Sequence, residues 1–316
     1  MTLLRIRKIS RVLCCIFSIS ACSILASAQS PDCGFTMPTT GSLSEISEAI
    51  KSNPQDADAY FLRGSALATA RQYTQALKDL SRAAELDPKF AKAFSLRAYV
   101  YAEIANYTRS VEDATRAIEA DSTLVEAFRL RGFSNSKLGE FKSAVDDLAK
   151  AIALREDNYF AYRDRGLALL RLGRIDEGKR DLQKEIEILN KRIENPENSL
   201  CSASFYKERG SIRRVLDQYA EAENDLMLSK QIDPHNAETY YYLGQIYLRR
   251  NSYYDAVNAI SHAIELIPEY ALAYETRARA CDGLKEFEKA AADRRRFSEL
   301  SNSRGPTSAP EVKPKP

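Results

Sequence analysis

The sequence points to an all-α solenoid, about seven helix-turn-helix units in a row preceded by a capping helix. Three regularities lead there. Gly64, Ala98, Gly132 and Gly166 fall 34 residues apart, and after one interval of 44 the spacing resumes with Gly210, Gly244 and Ala278. Four residues before each stands an aromatic: Tyr60, Phe94, Phe128, Tyr162, Tyr206, Tyr240 and Tyr274. Helix-stopping prolines occur at Pro88, Pro234 and Pro268.

A fixed period of this length marks stacked supersecondary units. Within each period, apolar positions at i, i+3, i+4 and i+7 describe two amphipathic helices of about 13 residues joined by a short turn. A second ring follows the Gly/Ala position by nine residues at Tyr73, Tyr107, Phe141, Tyr219, Tyr253 and Phe287, with Ile175 in the fourth unit. Small residues come next, at Ala76, Ser110, Ala144, Gly178, Ala222, Ala256 and Ala290. They let helix backbones approach closely, while the rings fill the wedge between hairpins. One hairpin cannot bury its apolar face alone, but a stack can. The 17 Tyr are therefore read mainly as packing residues.

The segments outside the period have their own logic. Arg5, Arg7, Lys8 and Arg11 form a basic n-region before the apolar stretch Val12 to Leu25, and Ala26-Ser27-Ala28 offers a signal-peptidase site. Residues 1–28 therefore read as a signal peptide; the apolar stretch is short for a bilayer span, which needs about 20 residues. A second reading stays open: Ile19-Ser20-Ala21-Cys22 resembles a bacterial lipobox, with Cys22 lipidated and the leader ending before it. Either way the protein is expected to be exported, as a periplasmic or secreted protein or an outer-membrane lipoprotein. Residues 29–42 read as a flexible linker. Leu43, Ile46, Ala49 and Ile50 make a capping helix over 43–54 that ends at Pro54.

The order of these residues resembles the tetratricopeptide repeat (TPR) family, in which aromatic, Gly/Ala, aromatic, Ala and Pro positions recur on this period. The resemblance implies a right-handed α-solenoid. It covers units 57–90, 91–124, 125–158, 159–192, 203–236, 237–270 and 271–304, giving blocks 57–192 and 203–304. The insert 193–202 follows an apolar stripe, Leu182, Ile186, Leu189 and Ile193, broken near Asn195-Pro196. Either the array kinks there with the long helix packed, or that helix offers a contact surface. Residues 305–316, rich in Pro, Ser and Lys, read as a disordered tail.

One departure from the family is systematic. Before the Gly/Ala, where Leu is usual, stand Arg63, Arg97, Arg131, Arg165, Arg209 and Arg277, and sixteen residues on stand Asp79, Asp113, Asp147, Asp181, Asp225 and Asp293. The sixth unit has Leu243 and Ala259 instead, so the two features vanish together. An ion pair across each hairpin is expected, with a structural rather than ligand-binding role.

The resemblance also implies where a partner would bind: a concave groove lined by the first helices, met at the second, fifth, ninth, twelfth and thirteenth residues of each unit. Carried over, these positions give Arg129, Lys137, Arg163, Arg171, Lys207 and Arg214 against Glu126, with Phe133 and Phe160 among them and Tyr99 and Tyr241 on either side. Asp58, Glu103, Glu238, Glu275 and Asp282 make the outer units more acidic. An acidic extended segment or a polypeptide C-terminus fits this groove; the plain alternative is that its charge serves solubility only. The carboxylate-clamp subset of the family is not matched, because its first Asn would fall at Ser65, Tyr99 or Phe133.

Composition narrows the function classes. Hydrophobic residues make up 44% of the 316, enough for a core. Lys and Arg number 46 against 44 Asp and Glu, and without the leader's four bases the balance is 42 against 44. Such near-neutrality disfavours a dedicated nucleic-acid or polybasic membrane binder. His235 and His262 are the only histidines; Cys33, Cys201 and Cys281 have no zinc-like spacing, and no glycine-rich phosphate loop occurs. No catalytic, metal or cofactor site is expected. The sequence reads as an exported, non-catalytic scaffold binding protein or peptide, with a role in cell-envelope assembly or secretion. The alternative is a substrate-recognition subunit of a separately encoded enzyme or transporter.

Overall fold

The computed structural model describes residues 43–304. The leader with Cys22, the 29–42 segment with Cys33 and the 305–316 tail lie outside the described residues.

Among those residues the fold is fifteen α-helices and a short 3-10 turn, with no strand. Helix α1 (Leu43–Ser52) is followed by seven antiparallel pairs. These are α2 (Ala57–Thr69) with α3 (Tyr73–Leu86), α4 (Ala91–Glu103) with α5 (Tyr107–Ala120), and α6 (Val125–Leu138) with α7 (Phe141–Leu154). Then come α8 (Tyr159–Arg171) with α9 (Ile175–Glu194), and, after the 3-10 turn Pro196–Cys201, α10 (Ser202–Val215) with α11 (Tyr219–Ile232). The last are α12 (Ala237–Arg249) with α13 (Tyr253–Leu266) and α14 (Ala271–Gly283) with α15 (Phe287–Arg304). Each helix packs most closely on its hairpin partner and then on the next unit, so the array is an α-solenoid.

The small residues work by letting a large one in. A Cβ on Gly64, Gly132, Gly210 or Gly244 would come within 3 Å of Leu80, Leu148, Leu226 or Ile260, each fully buried on the second helix of the same unit. Where the glycine is replaced, its partner changes too: Ala98 faces the small Ala114, and Ala278 shares its unit with the exposed Arg294.

The turn within each hairpin shows a rule that the sequence hides. Residues 71, 105, 139, 173, 217, 251 and 285, one per unit, all have positive φ, yet only Gly139 and Gly173 are glycine. At each, the following amide returns to the carbonyl five residues back, as Gln72 does to Leu67 (2.9 Å) and Asn106 to Tyr101 (2.8 Å). This left-handed closure satisfies the last carbonyls of the first helix. A side chain in that region costs about 1–2 kcal/mol, partly offset by the extra entropy glycine loses on folding. Ala105→Gly (φ 58) is therefore expected to raise stability by about 0.5–1 kcal/mol, read from urea unfolding.

The long helix that leads into the insert is packed. Leu182, Ile186 and Leu189 on α9 are buried, and Ile188 and Leu189 meet Tyr159 and Phe205, with Ile193 and Cys201 at the edge of that cluster. By contrast α15 is wetter: Arg294, Arg295 and Arg296 are exposed, while Asp293 and Leu300 are buried.

Candidate functional site

The first helices of consecutive units come into close backbone contact at every junction but one, where the approach is sparser, whereas the second helices do not approach one another comparably. The first helices thus form the shorter, inner wall, and their outward-facing side chains line the concave face. The exception is the junction of α8 with α10, where the insert separates units four and five.

A ladder of arginines holds this wall in place. In six units the guanidinium grips the Asp of the same hairpin through both oxygens, Nε to Oδ2 and Nη2 to Oδ1, at 2.6–2.9 Å. The pairing expected from the sixteen-residue spacing is therefore present and bidentate. The spacing did not reveal the third contact. Nη1 of Arg63, Arg97, Arg131, Arg209 and Arg277 donates to Ser47, Ser81, Thr115, Asn190 and Ser261 on the helix before its own unit, at 2.6–3.3 Å. Each of these arginines ties three helices together. The same six guanidiniums lie 5.4–5.9 Å over the ring three residues earlier, from Tyr60 to Tyr274. The hydrogen bond to Asp is the first cause holding Arg63, Arg165 and Arg277 above the ordinary guanidinium pKa. In unit six Leu243 is buried with Leu226 and Ile246 against Ala259, and Met227 stands where the Ser acceptor would be.

The basic residues of the groove fall into two kinds. Arg163 and Lys207 are already answered. Arg163 pairs with Glu208 at 2.6 Å and lies 3.6 Å from Asp164; Lys207 pairs with Glu238 at 2.6 Å and Glu208 at 3.2 Å. Burial alone would lower both bases, but the surrounding carboxylates hold each above its ordinary pKa. Burial likewise opposes ionisation of Glu208, yet Lys207 and Arg163 together keep its carboxyl below the ordinary value. The charge of Glu126 is taken by Arg155.

The other four each sit over a ring with no carboxylate partner among the described residues. Arg129 lies 5.7 Å from Phe160, Lys137 5.1 Å from Phe133, Arg171 5.9 Å from Phe141 and Arg214 5.3 Å from Tyr242. Phe160 also meets Arg163 at 4.8 Å and Tyr159 at 4.1 Å. Phe133 meets Tyr107 edge-on at 6.3 Å. Cation–π stacking holds a base without neutralising it, leaving its N–H groups for another acceptor. Arg129 and Arg214 each keep a buried Nε with no acceptor.

Tyr241 is buried against Tyr242 and Tyr270. Burial comes first among the causes that raise its pKa. Oε1 of Gln245 is buried without a donor. A donor without an acceptor at Arg214 and an acceptor without a donor at Gln245 thus stand on successive first helices. Gln245 and Tyr242 were not picked out from the sequence; Gln245 occupies the ninth position of its unit, which would have flagged it. Tyr99 packs half-buried against both the cluster of Leu80, Leu96 and Val100 and that of Ala98, Ala114 and Leu130.

Elsewhere, His262 is half-buried between the ring of Tyr240 and Glu265 (3.2 Å), and His235 lies in the turn before α12. Among the described residues no group of three or more His, Cys, Asp or Glu is arranged to hold a metal ion, and no helix is long and apolar enough to cross a membrane.

Comparison with known proteins agrees with this architecture. Family profiles described as tetratricopeptide repeat match residues 41–89 and 135–185, and a second matches 237–270. No curated protein matches this sequence. Among solved structures, a subunit of the APC/C hetero-tetramer Cut9–Hcn1 is similar, at 16% identity and a TM-score of 0.60, over 74% of this chain and 44% of that one. The match thus spans less than half of that protein's length. A tetratricopeptide repeat protein from Parabacteroides merdae is similar at 16% identity and a TM-score of 0.59, over 75% of this chain and 90% of that one. At such identity the likeness shows the fold. Tetratricopeptide repeats are therefore present in this protein, carried on a solenoid of that architecture.

Proposed function

We propose that the concave face binds an extended acidic segment of another protein, and that the protein is a non-catalytic scaffold. Proteins of this fold generally mediate protein–protein or peptide binding. One observation carries the acidic specificity: Arg129, Lys137, Arg171 and Arg214 are stacked on rings and have no carboxylate partner among the described residues, while Arg163 and Lys207 between them are neutralised. Stacking orders the bases in advance, so a carboxylate ligand loses less entropy in ordering them. The basic n-region and apolar stretch before Ala28 support a place outside the cytoplasm, with a role in envelope assembly or secretion.

A fluorescein-labelled Glu-rich peptide tests this by anisotropy. Arg129→Glu and Arg214→Glu are each expected to weaken binding at least tenfold, as loss of a charge-assisted hydrogen bond does at about 1.5–3 kcal/mol. Arg82→Glu on the outer helix should leave the affinity unchanged, and salt should weaken the wild-type complex. Equal affinities across these variants, or binding indifferent to salt, would overturn the acidic-ligand reading.

A further inference from the structure

The junction between units four and five is built from the wrong residues for a repeat core. At one buried site of the second helix, units one to three carry Ala83, Ala117 and Ala151, all fully buried; unit four carries Glu185, equally enclosed. At the facing site of the first helix, Leu62, Leu96 and Leu130 give way to Asp164 and Glu208. Both oxygens of Glu185 and one of Asp164 are buried without a hydrogen-bond partner. Here too the backbones of α8 and α10 approach less closely than those of other consecutive first helices, which leaves Arg163–Glu208 and the Tyr159–Phe205 ring contact to join them, and the insert lengthens the connection.

We propose that this junction is a hinge between a block of units one to four and a block of units five to seven, opened by ionisation of Glu185. An enclosed carboxyl with no bonded oxygen holds its proton. Burial sets Glu185 well above the ordinary carboxyl pKa; Arg163 pulls it back, and Glu208 and Asp164 push it the same way as burial. The other groups facing it, Arg163 from α8 and Glu208 from α10, are shifted so as to stay charged through neutral pH. Opening admits water, and Glu185 then ionises as a free carboxylate. Its raised pKa means that the closed state binds a proton which the open state releases. The closed state is thus most favoured below the ordinary carboxyl pKa and loses ground as pH rises towards the raised value. One proton gives a tenfold change in the opening equilibrium per pH unit in that window. Because the hinge lies between Arg129 and Arg214, opening alters the spacing of the two halves of the groove.

Hydrogen exchange of the full-length protein tests this, with opening constants of α9 and α10 amides followed from pH 5 to pH 8 after correction for intrinsic exchange. Wild type should open about tenfold more per pH unit over at least part of that range. The α5–α6 junction, with Ala117, should show no such slope. Glu185→Gln should flatten the response, and so should Glu185→Ala, which copies units one to three and serves if the Gln variant fails to fold. A pH-independent wild type, or the same slope in both variants, would overturn the hinge.

Discussion

Asp113→Ala is expected to destabilise the array by about 3 kcal/mol, the range found when one partner of a buried ion pair is removed. The side chains of Arg97 and Asp113 are only 12% and 5% exposed, and Arg97 stays charged whatever its surroundings. Without Asp113 its guanidinium keeps Ser81 as its hydrogen-bond acceptor, at 3.1 Å, and the ring of Phe94 beneath it. Arg97→Leu with Asp113→Ala should recover most of the loss, to within about 1 kcal/mol of wild type, because an apolar pair leaves nothing unsatisfied. Unit six is the natural precedent, with Leu243 and Ala259 in those two places and a well-packed core around them. Urea unfolding of the three variants decides the matter. Equal losses in Asp113→Ala and the double variant would remove the pairing account.

Gly178→Val should cost a similar amount, about 3 kcal/mol, at the upper end of what overpacking does. A Cβ at Gly178 would lie 2.8 Å from the carbonyl oxygen of Gly166 and 2.8 Å from Cγ of Leu170. The first of these is helix backbone, which cannot swing aside as a side chain can, so α8 and α9 would have to separate. Gly139→Ala is the contrast. Nothing lies within 4 Å of its missing Cβ, and only the positive φ of 88° opposes the change, at about 1 kcal/mol. Thermal midpoints of the two variants should therefore differ clearly. A Gly178→Val midpoint no lower than that of Gly139→Ala would show that the helices are not in close contact there.

Much of this architecture was legible in one dimension because a solenoid repeats the same local problem. Gly64 needs a large partner such as Leu80 every time, and Arg63 needs Asp79 every time, so geometry is written as period. The inner-wall positions of Arg129, Phe160 and Arg163 follow from the same register. What period cannot show is how neighbouring units answer one another's charges. Arg163 is neutralised by Glu208, which lies 45 residues away in the next unit, and Lys207 by Glu238, 31 residues on. A basic stripe in the sequence is thus interrupted at its centre in space.

The turns were illegible for another reason. Arg71, Ala105, Asp217, Asn251 and Lys285 share no single side-chain property, yet all adopt the left-handed conformation that glycine prefers. Closure of the hairpin imposes it, since the helix ends must have their carbonyls satisfied whatever residue is present.

Helix positions, the seven-fold repetition and the arginine–aspartate ladder are consequences of local periodicity, set by 3.6 residues per turn and a constant unit length. Which bases stay available, which carboxyls lose their water and where the array is weakest depend on contacts between units. Those energies arise from burial and from distances of a few ångströms, and no spacing along the sequence records them.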